Sequence, residues 1–497
     1  MQHIPVLRSC SADPQSAPRQ IRRETGPALR DRTARVSGAD PSGTRLGGGS
    51  APLTRWICGI LVVDPRGSRG GFVGIDQYAR RMSPSGLVAR HAQGAVEAAL
   101  ADTRVVVVLG ARQVGKSTLL EQVASSESAG REILTLDNQA IRTAATTDPA
   151  GFVATLKTPV AIDEIQRVPE LITEIKLRVD RDKTPGQFAL TGSANLLEMT
   201  RVKDSLAGRA EYLRLHPFSQ GELLGHREAF VPGLASGRFP NVADAPVGRK
   251  AYAEILARGG YPEIQGRAPN RRPQFFESYI EGILEHDLAS LGDVADRAVV
   301  ARLLRAIGAT SAAELNIERL SSSLGTPATT IRRHIELLEM LFLIRRLPAW
   351  SNNLLARSVK RPKVHVADTG LLAYLAGADE RRIETDLDLG GMFYETFVAM
   401  ELHRQISWLD DRPQLFHFRD RDQREVDIVI EHRDGSISAV EVKAAATVHQ
   451  RDFRGLKHLK DKLGNRFKAG ALLYTGANTV HFGDRLAAVP LSGLWAA

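Results

Sequence analysis

Apolar residues first recur at helical spacing between Leu87 and Leu100, at Leu87, Val88, Ala92, Ala95, Val96, Ala99 and Leu100. The run Val105–Leu109 follows without a polar residue. It reads as a strand buried on both faces, and it stops at Gly110. Further short apolar runs lie at Ile133–Leu136, Val160–Ile162, Phe188–Leu190 and Tyr212–Leu215, most of them separated by helical stretches. Strands alternating with helices predict an α/β fold with a doubly wound parallel sheet. Residues 236–297 read as helical, clearest at Tyr252–Arg258 and Phe275–Leu291. Residues 298–347 give helix, helix, turn, helix and strand. Beyond Arg361 the pattern changes again: a helix at Met392–Gln405, a strand at Leu415–Arg419, a hairpin at Glu425–Lys443, a helix at Arg451–Lys462 and a strand at Ala471–Tyr474.

Residues 1–81 stand apart. They are rich in Pro, Gly, Ser and Arg, with a flexible Gly47–Ser50 run, and are expected to be a disordered basic extension. They hold thirteen arginines, no lysine and six acids, so this stretch carries +7 of the chain's +9. Only +2 remains for residues 82–497, which argues against a uniformly basic nucleic-acid binder. Met82 directly follows and is an alternative start. The two cysteines, Cys10 and Cys58, both fall in the extension, which excludes a disulfide scaffold and thiol chemistry from the rest. The longest apolar run, Trp56–Val63, is too short to span a bilayer. No secretory signal is visible, so a cytoplasmic location without a membrane partner is expected.

The stretch Gly110-Ala111-Arg112-Gln113-Val114-Gly115-Lys116-Ser117 fits G-x-x-x-x-G-K-[ST] at every specified position, between a strand and a helix, and these residues with Thr118 are the expected nucleotide-binding set. Such a loop turns its backbone N–H groups onto phosphate oxygens. Lys116 would reach the outer phosphates, and Ser117 would ligate Mg²⁺. The strand at Val160–Ile162 ends in Asp163 and Glu164. Asp163 would help hold Mg²⁺ and Glu164 would act on the attacking water. Thr191, Ser193 and Asn195 sit at the C-terminal end of a strand, where ligands of open α/β sheets bind, and Arg209 is a candidate charge-stabilising arginine. A hydroxyl-capped loop and a surface arginine remain the alternative for these last residues.

With these motifs the chain resembles the AAA-superfamily ATPases of bacteria and archaea that carry a winged-helix segment and a nuclease-like C-terminal domain. The likeness rests on GARQVGKS at 110–117, AIDEIQ at 161–166, LTGSAN at 190–195, SLAGR at 205–209, HVADTGLLAYL at 365–375 and GGMFYETFVAMEL at 390–402. It implies ATP and Mg²⁺ as cofactors, and it implies hydrolysis. The expected organisation is the extension 1–81, a P-loop ATPase domain 82–235, a helical segment 236–297, a winged-helix-like module 298–350 and a nuclease-like domain 351–497.

Within the winged-helix-like module, Ile331, Ile335, Leu338 and Phe342 form a buried stripe. Thr329, Thr330, Arg332, Arg333 and His334 are left outward, suited to a DNA groove or merely solvated. The hairpin resembles the core of PD-(D/E)XK nucleases, with Asp427, then Glu441 and Lys443, and with Glu395 as the helical acid. A three-residue turn with 432 opposite 436 brings 427 opposite 441, and Gly435 suits such a turn. Asp427, Glu441 and Glu395 would then hold a metal ion, with Lys443 steadying charge. A surface hairpin, or the same fold without activity, stays open. The leading reading is a Mg²⁺-dependent ATPase whose nucleotide state controls the two downstream modules, with DNA and a second copy as candidate partners. An ATP-gated DNA nuclease and a non-catalytic interaction switch are the alternatives.

Overall fold

A computed structural model describes residues 87–496, apart from 127–129, 194–205, 243–246, 289–295, 354, 356, 358 and 359. The expected extension 1–81 and Asn195 lie outside the described residues.

The first sheet has five parallel strands: β1 (Val105–Leu109), β2 (Glu132–Thr135), β3 (Val160–Asp163), β4 (Phe188–Gly192) and β5 (Ala210–Arg214). Their order is β2-β3-β4-β1-β5, the layout of a P-loop NTPase sheet. All five residues of β1 are buried, as an unbroken apolar run in a central parallel strand requires. Val106 and Val108 pack with the helices Ala92–Asp102 and Lys116–Ser126. Val105, Val107 and Leu109 pack with the helix Leu171–Arg181 on the other face. The first helix begins at Ala92 rather than Leu87, which leaves Arg90 and His91 outside it.

The helices Arg297–Gly308, Ile317–Leu324 and Ala328–Met340 precede an antiparallel ribbon of β6 (Ile344–Leu347) and β7 (Lys363–Val366). His334 is 2% exposed and not outward as expected, because it stands three residues after Ile331 on the buried side of its helix. The segment Phe275–Leu291 is not one regular helix. An α-helix Arg272–Gly282 gives way to a single π-helical turn, Ile283–Asp287.

The C-terminal sheet has six strands in the order β12-β13-β11-β10-β9-β8. These are β8 (Gln414–Arg419), β9 (Glu425–Glu431), β10 (Ile437–Lys443), β11 (Phe467–Tyr474), β12 (Val480–His481) and β13 (Leu486–Pro490). The helix Leu387–Ser407 packs Phe393 and Phe397 with Ile428, Ile430 and Val440 of this sheet. The helix Arg454–Leu463 packs Leu456 and Leu459 with Val429 and Ala439. One continuous buried cluster runs from Val106 and Leu120 of the first sheet, through the intervening helices, to Val440 and Val489 of the last. Among the described residues no helix is long and apolar enough to cross a membrane.

Candidate functional site

The loop after β1 forms a cradle at the C-terminal edge of the parallel sheet. Gly110 is there because the chain passes against Leu215: a Cβ at 110 would stand 2.5 Å from the Leu215 carbonyl oxygen. Lys116 begins the following helix, is 5% exposed, and donates to the carbonyl oxygens of Gly110 (3.3 Å) and Ala111 (3.1 Å). Burial lowers the pKa of its ammonium, against the charges of Glu164, Asp163 and Asp287.

Ser117 lies one residue on, and its hydroxyl donates to Asp163 Oδ2 at 2.9 Å. Asp163 ends β3 and is buried, and the hydroxyl of Thr191 on β4 donates to its other oxygen. The same Thr191 oxygen accepts the backbone N–H of Glu164 at 3.0 Å. Glu164 adopts φ 58°, a left-handed backbone that turns it away from the strand. Gln166 donates to its carboxylate, and the Gln166 side-chain oxygen accepts from the Ser193 N–H at 3.3 Å. Three of the motif segments, 110–117, 161–166 and 190–195, therefore meet at one point. Gln166 was not read from the sequence as a site residue, although the AIDEIQ pattern contained it.

Arg209 does not join them. It precedes β5, whose residues Ala210 and Arg214 stand beside Val105 and Leu109 of β1. Since the phosphate loop follows Leu109, parallel pairing fixes Arg209 at the opposite edge of the sheet, where its guanidinium pairs with Asp180. It cannot act on the nucleotide of its own loop.

The cradle is tied to the rest of the chain by two buried paths. Arg90, 6% exposed, donates to the carbonyl oxygen of Val114 (2.8 Å) and to Glu222 Oε1 (3.1 Å). Glu222 completes the capping box of Ser219 at the start of the short helix Gln220–Leu224, and in the same turn the Gln220 N–H donates to Glu401 Oε2 at 3.2 Å. Glu401 accepts from Arg404 (2.5 Å), and Arg404 reaches Asp368 (3.3 Å). Asp368 accepts the backbone N–H of Gly260 at 2.7 Å. On the second path the Tyr279 hydroxyl donates to the carbonyl oxygen of Arg112 at 3.3 Å and meets the Tyr261 hydroxyl at 3.0 Å. Sequence reading missed Arg90, Glu222, Glu401, Arg404 and Asp368, which lie far apart along the chain.

In the C-terminal sheet the hairpin takes the expected register. Val440 pairs with Ile428 and Ile437 with Glu431, and the turn is Arg433–Gly435, with Gly435 at φ 77°. This register carries Asp427 toward Glu441, and Asp427 Oδ2 accepts the Val442 N–H at 2.9 Å. The cation among the acids is not the expected one. Lys363 of β7, buried, extends its Nζ to Glu395 (2.6 Å), Glu425 (2.6 Å) and Asp427 (3.2 Å). Among the described residues no group of three or more His, Cys, Asp or Glu side chains is arranged to hold a metal ion. The metal assignment to Glu395, Asp427 and Glu441 is corrected on that ground: the Lys363 ammonium stands between Glu395 and Asp427, so these residues do not fit a divalent cation as they stand.

Burial works against the Lys363 charge, but Asp427, Glu395 and Glu425 outweigh it and hold its pKa well above the lysine range. Burial and then the Asp427 charge push Glu395 up to about 8, against the pull of Lys363, and push Glu441 well up. A carboxyl raised on folding contributes stability that is complete below the ordinary 4.5 and is lost as pH rises through about 8. We expect Glu395→Gln to be close to the wild type in stability at pH 5 and increasingly more stable than it toward pH 9. Urea denaturation at several pH values measures this, and a difference that does not grow with pH would contradict it.

Residues 102–224 match the AAA domain family model. Residues 249–382 and 390–494 match two domains of unknown function, DUF8612 and DUF4143. The chain is 30% identical over 404 residues to the uncharacterized protein Rv2008c of Mycobacterium tuberculosis, covering 81% of this chain and 83% of that one. The same figures hold for the uncharacterized protein Mb2031c of Mycobacterium bovis. The chain belongs to the family of these mycobacterial proteins. It carries an AAA-type ATPase domain, to which nucleotide binding and hydrolysis belong. Among solved structures a Thermotoga maritima RuvB variant is 17% identical, covering 55% of this chain and 94% of that one at a TM-score of 0.27. AMPPCP-bound DnaA from Aquifex aeolicus is 10% identical, covering 52% and 92% at a TM-score of 0.27. Both likenesses are too slight to carry an argument.

Proposed function

We propose that this chain is a Mg²⁺-dependent ATPase whose nucleotide state is passed to the winged-helix-like residues 298–350 and to the C-terminal domain 351–497. Ser117 Oγ and Asp163 Oδ2, 2.9 Å apart, fit a Mg²⁺ site. A bound ion there would neutralise charge between the outer phosphates. Lys116 would hold those phosphates. Glu164, oriented by Gln166, would take the proton of the attacking water.

The observation that carries the control reading is the buried path from the loop carbonyl of Val114, through Arg90, Glu222 and Gln220, to Glu401 and Asp368. A displaced loop carbonyl strains a charged, desolvated network, and such a network transmits strain because its members have no water to replace a lost partner. Exposed Thr329, Arg332 and Arg333 on the helix Ala328–Met340 favour DNA as the partner of the winged-helix-like module. The lysine among the C-terminal acids favours a fold used as a switch element over a nuclease.

Hydrogen exchange of Glu164→Gln with ATP and with ADP tests the reading. Protection should differ in the helices 369–376 and 387–407, and the wild type should not nick supercoiled plasmid with Mg²⁺. Differences confined to 110–126 and 160–167 would overturn the control reading, and Mg²⁺-dependent nicking would restore the nuclease.

A further inference from the structure

The AAA domain match ends at 224, yet a side chain from beyond it stands at the phosphate loop. Asp287 Oδ2 lies 3.2 Å from Arg112 Nε, and its side chain is 13% exposed. It closes the π-helical turn Ile283–Asp287, a local widening that re-aims a helical residue and recurs at functional positions. The preceding helix is pinned to the same loop residue, since the Tyr279 hydroxyl donates to the Arg112 carbonyl oxygen. Arg112 is thus held at its backbone and at its guanidinium by one helical segment.

Asp287 also feels the site chemistry directly. Burial pushes its carboxyl up, Arg112 and Lys116 oppose that, and Glu164 adds to it. In return the Asp287 charge supports the ammonium of Lys116. Arg112 is therefore already paired with a fixed carboxylate, whose charge also bears on Lys116.

We propose that Asp287 is a specificity-determining residue of the nucleotide site: its carboxylate competes with the terminal phosphate of a bound nucleoside triphosphate for Arg112 and Lys116, which biases the site toward the diphosphate. A nucleoside triphosphate carries one more phosphoryl group and about one more negative charge than a diphosphate, and that group lies farthest out along the loop, toward Lys116. Two like charges separated by several ångströms near a protein surface repel enough to change an affinity roughly 3- to 10-fold. ADP, which lacks that group, escapes most of the penalty. The π turn then has a defined response. When a triphosphate takes Arg112, the Asp287–Arg112 ion pair is broken while the Tyr279 hydrogen bond to the loop remains. The proposal rests on nucleotide occupying the phosphate loop.

The test is calorimetric titration of the full chain, wild type and Asp287→Asn, with ADP and with the β,γ-methylene analogue of ATP, both with Mg²⁺. Asparagine keeps the shape and removes the charge. Asp287→Asn should tighten analogue binding about 3- to 10-fold and ADP binding less, so that the ADP-to-analogue ratio of dissociation constants rises. An unchanged ratio, or weaker analogue binding in the variant, overturns the proposal. The second result would make Asp287 a group that helps hold the triphosphate. If the asparagine variant does not fold, Asp287→Ser is read in the same way. A wild type that binds neither nucleotide overturns the ATPase reading together with this proposal. A wild type that binds both while the ratio stays fixed overturns this proposal alone.

Discussion

Lys116→Ala should abolish nucleotide binding, whereas Glu164→Gln should bind ATP normally and lose turnover by about 10²- to 10⁴-fold. The two residues belong to the same cradle and do different work. The Lys116 ammonium is buried and spends its hydrogen bonds on the loop's own carbonyl oxygens, Gly110 and Ala111. Carbonyl dipoles are weak partners for a buried cation, and burial depresses its pKa accordingly. A phosphate would offer that ammonium a full counter-charge, which offsets the cost of its burial. Alanine removes the only lysine of the loop and with it that gain. Glu164 contributes little to holding phosphate. Its backbone is fixed by Thr191 and its carboxylate by Gln166, so its position is set before any water arrives. Glutamine keeps the shape and hydrogen-bonding reach but cannot accept a proton. Binding titrations and steady-state phosphate release separate the two effects. Unchanged turnover in the glutamine variant would remove Glu164 from its role, and retained binding in the alanine variant would remove Lys116 from the site.

What the sequence discloses of this site follows from how far apart the residues lie. The loop 110–117 and the strand before it are contiguous, and a continuous β-branched run admits one reading. The hairpin register is also local, because a three-residue turn closed by a left-handed Gly435 leaves one alignment of the flanking strands. That Arg209 stands away from its own loop was not legible, because its motif is local but its location depends on the direction of β5 relative to β1, a long-range property. Arg90 was passed over as part of a helical pattern. Its partners Val114 and Glu222 lie 24 and 132 positions away, and no periodicity marks such a pair. Asp287 falls where an apolar helical pattern continues unbroken, and nothing in that pattern signals a π turn. Lys363 is one charged residue at the start of a four-residue strand, and its meaning comes only from Glu395 and Asp427, 32 and 64 positions on.

Lys363→Met should cost the fold about 3–5 kcal/mol at neutral pH, the range for removing one partner of a buried ion pair. The methionine fills much of the lysine's volume, so the loss is of charge and not of packing. Three carboxylates then face one another with their common ammonium gone. Their cheapest relief is to take up protons, a step already begun in the wild type, where Glu395 is pushed up to about 8. That sets the sign of the pH dependence. Carboxyls raised further on folding are neutral in acid and must be forced to ionise, or the fold lost, in base. The gap between variant and wild type should therefore be small near pH 5 and widen toward pH 8.5. The ribbon of β6 and β7 should be the first element to show it, because Lys363 is the residue by which β7 holds β9 and the helix Leu387–Ser407 at this point. Lys443→Met is the control. Lys443 lies at the end of β10 and is half-buried, so water replaces much of what its charge supplies, and its loss should cost under about 1 kcal/mol. Urea melts of the two variants at pH 5 and 8.5 measure both effects. If Lys443→Met were the more damaging of the two, or if the cost of Lys363→Met did not grow with pH, the ammonium would not be what balances these acids.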